Sequence, residues 1–140
     1  GIAEKASIDF IIRDFITGNL EKHEARLKNI VEEVLANHPK AKMDFEVHEQ
    51  YRNMKEVLDK NPQVVANAVL AYERAGLEVR NEPIRGGTDG SRLSFMGLPC
   101  PNIFTGMQAI HSRHEWVAVN DMVKAVDVLV ELAKVWEEKS

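Results

Sequence analysis

The spacing of hydrophobic residues changes twice in the N-terminal part of the chain. Apolar and polar residues alternate over 6–15, which is the period expected of a half-buried strand. From Leu20 to Leu35 the apolar residues recur at every third or fourth position, which is typical of an amphipathic helix that ends before Pro39. Alternation returns over 43–48. The succession of strand, helix and strand predicts an α/β fold.

Two further helices are predicted in the rest of the chain. One covers 62–75, with Pro62 suited to its first turn and Gly76 as its stop signal. The other is a long amphipathic helix over 122–136, for which Asn120 is the candidate cap. The connecting part is predicted to hold shorter elements: an extended segment (77–84), a helical turn (93–96) and a short strand (102–105).

The pattern changes character near 54–61. The part before this segment is typical of half of a small sheet-and-helix lobe, and the part after it is typical of a layered α/β domain. We therefore place a domain boundary between 1–54 and 55–140. The chain begins with Gly1 instead of Met, and a strand pattern follows almost at once, so we expect a fragment of a longer protein.

Composition excludes two classes of partner. The formal net charge is -4, and no cluster of Lys and Arg is interleaved with aromatic residues, which argues against nucleic-acid binding. No apolar run approaches the roughly 18 residues of a membrane span. A cytoplasmic location is predicted, and the single cysteine, Cys100, agrees with it because it cannot form an internal disulfide.

The segment 110–116 (IHSRHEW) is the most suggestive cluster for chemistry. Imidazole and carboxylate groups both bind zinc, and a catalytic zinc usually takes three protein ligands. One short loop therefore supplies only part of a site. The alternative is that His111, His114 and Glu115 cap, form hydrogen bonds or face solvent.

Two other segments carry charges at unusual places. The glycine-bearing segment 85–90 (RGGTDG) is either an anion-binding loop, with Arg85 binding a carboxylate, or a tight turn in which Asp89 caps the next helix. In 10–15 (FIIRDF), Arg13 and Asp14 have two interpretations. Either they have a functional role or form a local ion pair, or they face opposite sides of the sheet and meet solvent at its edge. Asn53 lies in a polar stretch for which the sequence likewise leaves open a functional role and a structural one.

Four segments in order resemble the C-terminal part of the peptidase T family: 10–15 (FIIRDF), 83–90 (PIRGGTDG), 93–102 (LSFMGLPCPN) and 104–106 (FTG). The likeness runs from about Ala6 to the final helix. It implies the C-terminal part of a dizinc aminopeptidase catalytic domain (55–140) and the second half of a ferredoxin-like lid domain that also mediates dimerisation (1–54). One departure is 107–110 (MQAI), where the family more often has glycine and aromatic residues.

The resemblance also implies a function. Family members remove the N-terminal residue from tripeptides with two zinc ions per subunit and a glutamate general base. His111 matches the last zinc-ligand histidine, four positions before its glutamate, while Arg13 and Arg85 match arginines that face substrate, and Asn53 is a weaker candidate. The other ligands and the base are expected upstream, so the fragment is expected to be inactive alone.

A second hypothesis belongs to another class of protein. The chain would be a non-catalytic ligand-binding or interaction module that keeps the lid half and the glycine loop. An authentic start codon just before Ile2 would favour it.

Overall fold

The computed structural model describes residues 1, 3–84 and 87–140, and within these residues it contains helices and no strand. The helices are α1 (Thr17–Leu35), α2 (Lys55–Leu58), α3 (Pro62–Arg74), α4 (Asp89–Phe95) and α5 (Val119–Glu138). The described residues divide into two compact units: 1–53 with 83–84, and 54–82 with 87–140. The assignment of these parts to a lid and a catalytic domain stays a prediction.

The first unit contains α1, so the helix predicted from Leu20 to Leu35 is confirmed, with an earlier start at Thr17. None of its residues is buried. Its apolar stripe is only partly covered: Leu27, Val31 and Leu35 are half-buried, while Ile30 is 48% and Val34 55% exposed. Apolar residues in a helix of a folded protein normally cover a core, and the described residues cover this stripe incompletely.

The strands predicted over 6–15 and 43–48 are not seen in the described residues. A strand requires a hydrogen-bonded neighbour, and these segments form no ladder with one another. Ile8 is 74% exposed and Val47 53% exposed, so the faces that alternation predicts to be half-buried lie open. The sheet-and-helix lid is therefore not confirmed and stays a prediction. The short strand predicted over 102–105 is likewise not formed.

The second unit is built on the packing of α3 against α5. Ala71 on α3 and Val128 and Val135 on α5 are completely buried, and Ala68 adds a further small side chain to this contact. Small residues on α3 allow the two helices to approach closely, so that the valine side chains of α5 are removed from water. This apolar contact is the core of the unit.

Polar contacts also join the two helices. The Lys139 ammonium group donates to the buried side-chain oxygen of Asn67 (2.8 Å). The Arg74 guanidinium group donates two hydrogen bonds to the carboxylate of Glu138 (2.9 and 2.7 Å). This hydrogen-bonded pair lowers the pKa of Glu138 and raises the pKa of Arg74. These contacts join the C-terminal end of α5 to α3.

The boundaries of α3 agree with the start and stop signals predicted from Pro62 and Gly76. Pro62 occupies the first turn, where its missing N–H costs no helical hydrogen bond. Gly76, just past the end, has a φ of +73°. This left-handed conformation is accessible to glycine without a steric penalty.

The caps of the two later helices differ from the predicted ones. Thr88, and not Asp89, caps α4, because the Thr88 side chain accepts a hydrogen bond from the Ser91 N–H while Asp89 is already helical. Asn120 lies inside α5, which begins at Val119, and the preceding Ala118 has extended backbone and no side-chain capping bond. A capping side chain must precede the helix, so the prediction for Asn120 is wrong.

The segment after α4 lies against the helix start. The Cys100 N–H donates to the buried Ser94 hydroxyl oxygen (3.0 Å), and the Asn102 side-chain amide donates to Thr88 Oγ1 (3.3 Å). Gly90 makes this approach possible, since a Cβ there would lie 2.6 Å from the Cys100 carbonyl oxygen. The requirement for glycine at 90 is therefore one of space.

No helix in the described part of the chain is long and apolar enough to cross a membrane.

Replacing Gly90 with alanine is expected to lower the free energy of unfolding by about 1–3 kcal/mol, because the new methyl group forces the Cys100 backbone away from α4. The matched control is Gly18→Ala in α1, where a Cβ meets nothing within 4 Å and alanine favours the helix. Urea denaturation measures both. A Gly90→Ala variant as stable as the parent would contradict the tight contact.

Candidate functional site

The loop 108–116 is closed at its two ends by main-chain hydrogen bonds. The Gln108 N–H donates to the Trp116 carbonyl oxygen (2.8 Å), and the Trp116 N–H donates to the Gln108 carbonyl oxygen (3.2 Å). The two residues form an isolated antiparallel bridge. The residues between them therefore form a short closed loop in the second unit.

Two successive turns that meet at Ser112 organise the inside of this loop. The Ser112 N–H donates to the Ala109 carbonyl oxygen (3.1 Å), and the Glu115 N–H donates to the Ser112 carbonyl oxygen (3.2 Å). The Ser112 hydroxyl oxygen accepts from the His114 N–H (3.0 Å). These hydrogen bonds satisfy main-chain groups that would otherwise need water as a partner, so the loop has a defined internal structure.

Two residues of the loop adopt a conformation that is unfavourable for their type. Ala109 has a φ of 51° and His111 a φ of 66°. A left-handed backbone costs a residue with a Cβ roughly 1–2 kcal/mol. The Glu115 carboxylate accepts a hydrogen bond from the His111 N–H, with Oε2 2.9 Å from the nitrogen. Ala109, one of these two residues, thus lies in 107–110, the segment that departs from the family pattern.

The His111 side chain is available for a ligand. It is exposed, and its ring has no hydrogen-bond or ion-pair partner among the described residues. An imidazole nitrogen with a free lone pair is a good zinc ligand. No group of three or more His, Cys, Asp or Glu side chains that could hold a metal occurs within 1, 3–84 and 87–140. The donor chemistry fits one contributed ligand and not a complete metal site.

Arg13 and its neighbour Asp14 lie in the first unit, and their side chains differ in environment. Arg13 is exposed, and it has no ion-pair or hydrogen-bond partner in the part of the chain that the structure describes. Asp14 is half-buried: Oδ1 accepts from the Ile16 N–H (2.8 Å), and Oδ2 lies 2.9 Å from His23 Nε2. The Ile16 N–H and then the His23 ring lower the pKa of Asp14. Asp14 thus stabilises the entry to α1, and Arg13 is left for other contacts.

Asn53 belongs to the same unit as Arg13 and contacts the same segment. Its side-chain amide donates to the Phe15 carbonyl oxygen (2.7 Å), which joins two parts of the chain that are far apart in sequence. The structure therefore brings Asn53 close to the segment that carries Arg13. His111 belongs to the second unit.

Arg85, the remaining candidate for substrate binding, lies outside the described residues, as does Gly86. The later part of the glycine-bearing segment is described, and there Thr88 caps α4. For this part the turn interpretation is correct in placing a cap before the helix and wrong in choosing Asp89. The role of Arg85 stays a prediction from sequence.

The sequence did not specify two contacts of the candidate site. For Glu115 it left open a zinc ligand, a cap, a hydrogen bond or a solvent-facing position, and in the structure the carboxylate accepts a hydrogen bond from the His111 main chain. No sequence pattern indicated that the exposed His23 pairs with Asp14. The spacing of Glu115 from His111 was the available signal, but spacing does not distinguish a contact with the imidazole ring from one with the backbone.

Comparison with known proteins gives consistent matches. The model of Peptidase family M20/M25/M40 matches residues 2–135. The chain is 42% identical over 139 residues to a peptidase T of Clostridium perfringens strain SM101, and 44% identical over 138 residues to that of Shewanella pealeana, with 99% of this chain and 34% of each relative covered. It is 41% identical over 140 residues to the peptidase T of Bacillus subtilis strain 168, again 34% of that protein. The chain thus spans about a third of the length of these relatives.

Proposed function

Since the chain belongs to Peptidase family M20/M25/M40, we propose that it is the C-terminal part of a zinc-dependent tripeptide aminopeptidase that releases the N-terminal residue of tripeptides. The observation that carries the metal assignment is the exposed His111 ring, which has no partner among the described residues and stands in a closed, strained loop. Strain of this kind is concentrated at functional sites in proteins. The similarity to proteins named peptidase T supports the choice of substrate.

His111 supplies one ligand to one of two zinc ions in this proposal. A zinc ion bound there would supply water activation and polarisation of the scissile carbonyl group. The role of the chain's own residue is to offer an imidazole nitrogen at a fixed place. The remaining ligands and the glutamate general base belong to the larger part of the protein, and we expect the 140-residue chain to be inactive alone.

Arg13 and Arg85 bind the carboxylate end of the peptide in this proposal. A guanidinium group donates two parallel hydrogen bonds to a carboxylate, which fixes both position and orientation. Two observations support Arg13: its side chain is exposed, and the nearby residues Phe15 and Ile16 are held by hydrogen bonds to Asn53 and Asp14. Asn53 is a weaker candidate for a substrate contact, because its amide already binds the Phe15 carbonyl oxygen.

The exposed apolar surfaces support the proposal that a larger protein completes both units. Along α5, Met122, Val126 and Leu129 are 52%, 57% and 52% exposed, although they recur at helical spacing. A monomer rarely leaves such a continuous apolar face in water. We propose that the rest of an α/β catalytic domain covers this face, and that missing lid strands pair with 6–15 and 43–48. Dimerisation through the lid and a cytoplasmic location complete the proposal.

For the metal ligand, His111→Ala in the complete protein is expected to remove about one of the two zinc ions and most of the tripeptidase activity. The physical reason is that a zinc site loses affinity when one of its protein ligands is removed. Elemental analysis of the purified protein measures the zinc content. His114→Ala is the matched control, since His114 is an exposed histidine of the same loop. Unchanged zinc content in His111→Ala would contradict the assignment of His111 as a ligand.

For substrate binding, Arg13→Ala in the complete protein is expected to raise the KM for a tripeptide at least roughly tenfold, because a charge-assisted contact to the carboxylate end is lost. Stability should not change, since Arg13 has no partner in the described part of the first unit. The control is Arg26→Ala, an exposed arginine on α1. Equal kinetic constants for Arg13→Ala and the parent would remove Arg13 from the substrate site.

A further inference from the structure

We propose that Glu115 is a positioning residue for His111: its carboxylate holds the His111 backbone in the left-handed conformation from which the imidazole ring is presented. The inference rests on the proposed function, because it concerns the residue assigned as a zinc ligand. It goes beyond that assignment by giving a role to a carboxylate that would otherwise be counted as a second ligand of the loop.

The contact itself is specific. Glu115 Oε2 lies 2.9 Å from the His111 nitrogen and accepts its N–H. A carboxylate is a strong acceptor for a main-chain N–H, because the negative charge strengthens the hydrogen bond. The bond runs to the residue whose φ of 66° is unfavourable for a side chain with a Cβ. The hydrogen bond therefore stabilises the His111 backbone in its unfavourable conformation.

The other contacts of the loop do not bind the His111 N–H. The Gln108–Trp116 bridge closes the ends, and the bonds made by Ser112 run to Ala109, His114 and Glu115. The Ser112–Ala109 bond closes a turn with Ile110 and His111 at its centre, but the peptide group between these two residues takes no part in that bond. The carboxylate of Glu115 holds that peptide N–H directly, while the Glu115 main chain is tied to Ser112 and lies next to the bridge. Glu115 thus connects the closed end of the loop to the His111 backbone through hydrogen bonds.

The physical consequence concerns the affinity for zinc. A metal site gains affinity when its ligands are held in the binding geometry before the metal arrives, and loss of a supporting hydrogen bond typically costs 10–100-fold in metal affinity. The hydrogen bond needs an oxygen acceptor and does not need a charge. Glutamine retains such an oxygen on the same side-chain length, whereas alanine removes it.

The experiment compares Glu115→Ala and Glu115→Gln in the complete protein, with zinc affinity measured by competition with a chromophoric chelator. We expect Glu115→Ala to weaken one zinc by about 10–100-fold and Glu115→Gln to stay within about threefold of the parent, because glutamine keeps the oxygen acceptor. Glu137→Ala, which removes an exposed carboxylate of α5, is the matched control and should have no effect. Parental affinity in Glu115→Ala would overturn the proposal. So would an equal loss in both Glu115 variants, which would identify the charged carboxylate as a ligand.

A second readout is independent of metal. In the zinc-free protein, hydrogen exchange of the His111 amide should accelerate in Glu115→Ala and stay slow in Glu115→Gln, with equal thermal midpoints as the check on folding. Unchanged exchange in Glu115→Ala would contradict the hydrogen bond. His111→Ala separates the two claims: if it keeps all its zinc, the ligand assignment fails, while the exchange result still decides whether Glu115 holds the His111 backbone.

Discussion

The packing of α5 against α3 is the interaction on which the second unit depends. Ala71, Val128 and Val135 are fully buried there, and they are among the few side chains of the described residues that water does not reach. The segment leading to the candidate site is fixed to this pair of helices, since the Phe104 N–H donates to the Tyr72 hydroxyl oxygen (2.6 Å) and the two rings pack with centroids 5.5 Å apart. Loss of this packing would therefore remove the support of the loop as well as the core.

The loop 108–116 is held between that anchor and the start of α5. Gly106 has a φ of +80°, and a Cβ there would collide with the side chain of Asp121 on α5. The chain thus lies close to the helix before it reaches the Gln108–Trp116 bridge. His111 lies in a loop whose entrance and exit are both fixed, although its own ring is free in the described structure. If His111 is a zinc ligand, as proposed, a loop held in this way requires little reorganisation when the metal binds.

The helices were predictable from sequence because their signals are local. The period of three to four and the positions of Pro62 and Gly76 are sufficient for α1 and α3. The predicted strands depend on neighbours that the described residues do not provide, so alternation over 6–15 gave no sheet. Asn120 failed as a cap because α5 begins one residue before it. At the candidate site, His111 was singled out through the resemblance. The contact of Glu115 with the His111 N–H depends on a left-handed backbone, which no local pattern in 107–110 predicts.

In the proposed function the chain is one contributor to a metal site that the rest of the protein completes. The most direct test compares the zinc bound by the complete protein with that bound by the 140-residue chain, each measured by elemental analysis after gel filtration, together with tripeptide hydrolysis in the same samples. We expect two zinc ions and release of the N-terminal residue for the complete protein, and neither stoichiometric zinc nor hydrolysis for the chain alone. Tight zinc binding with hydrolysis by the chain alone, or a complete protein without zinc and without tripeptidase activity, would contradict the proposed function.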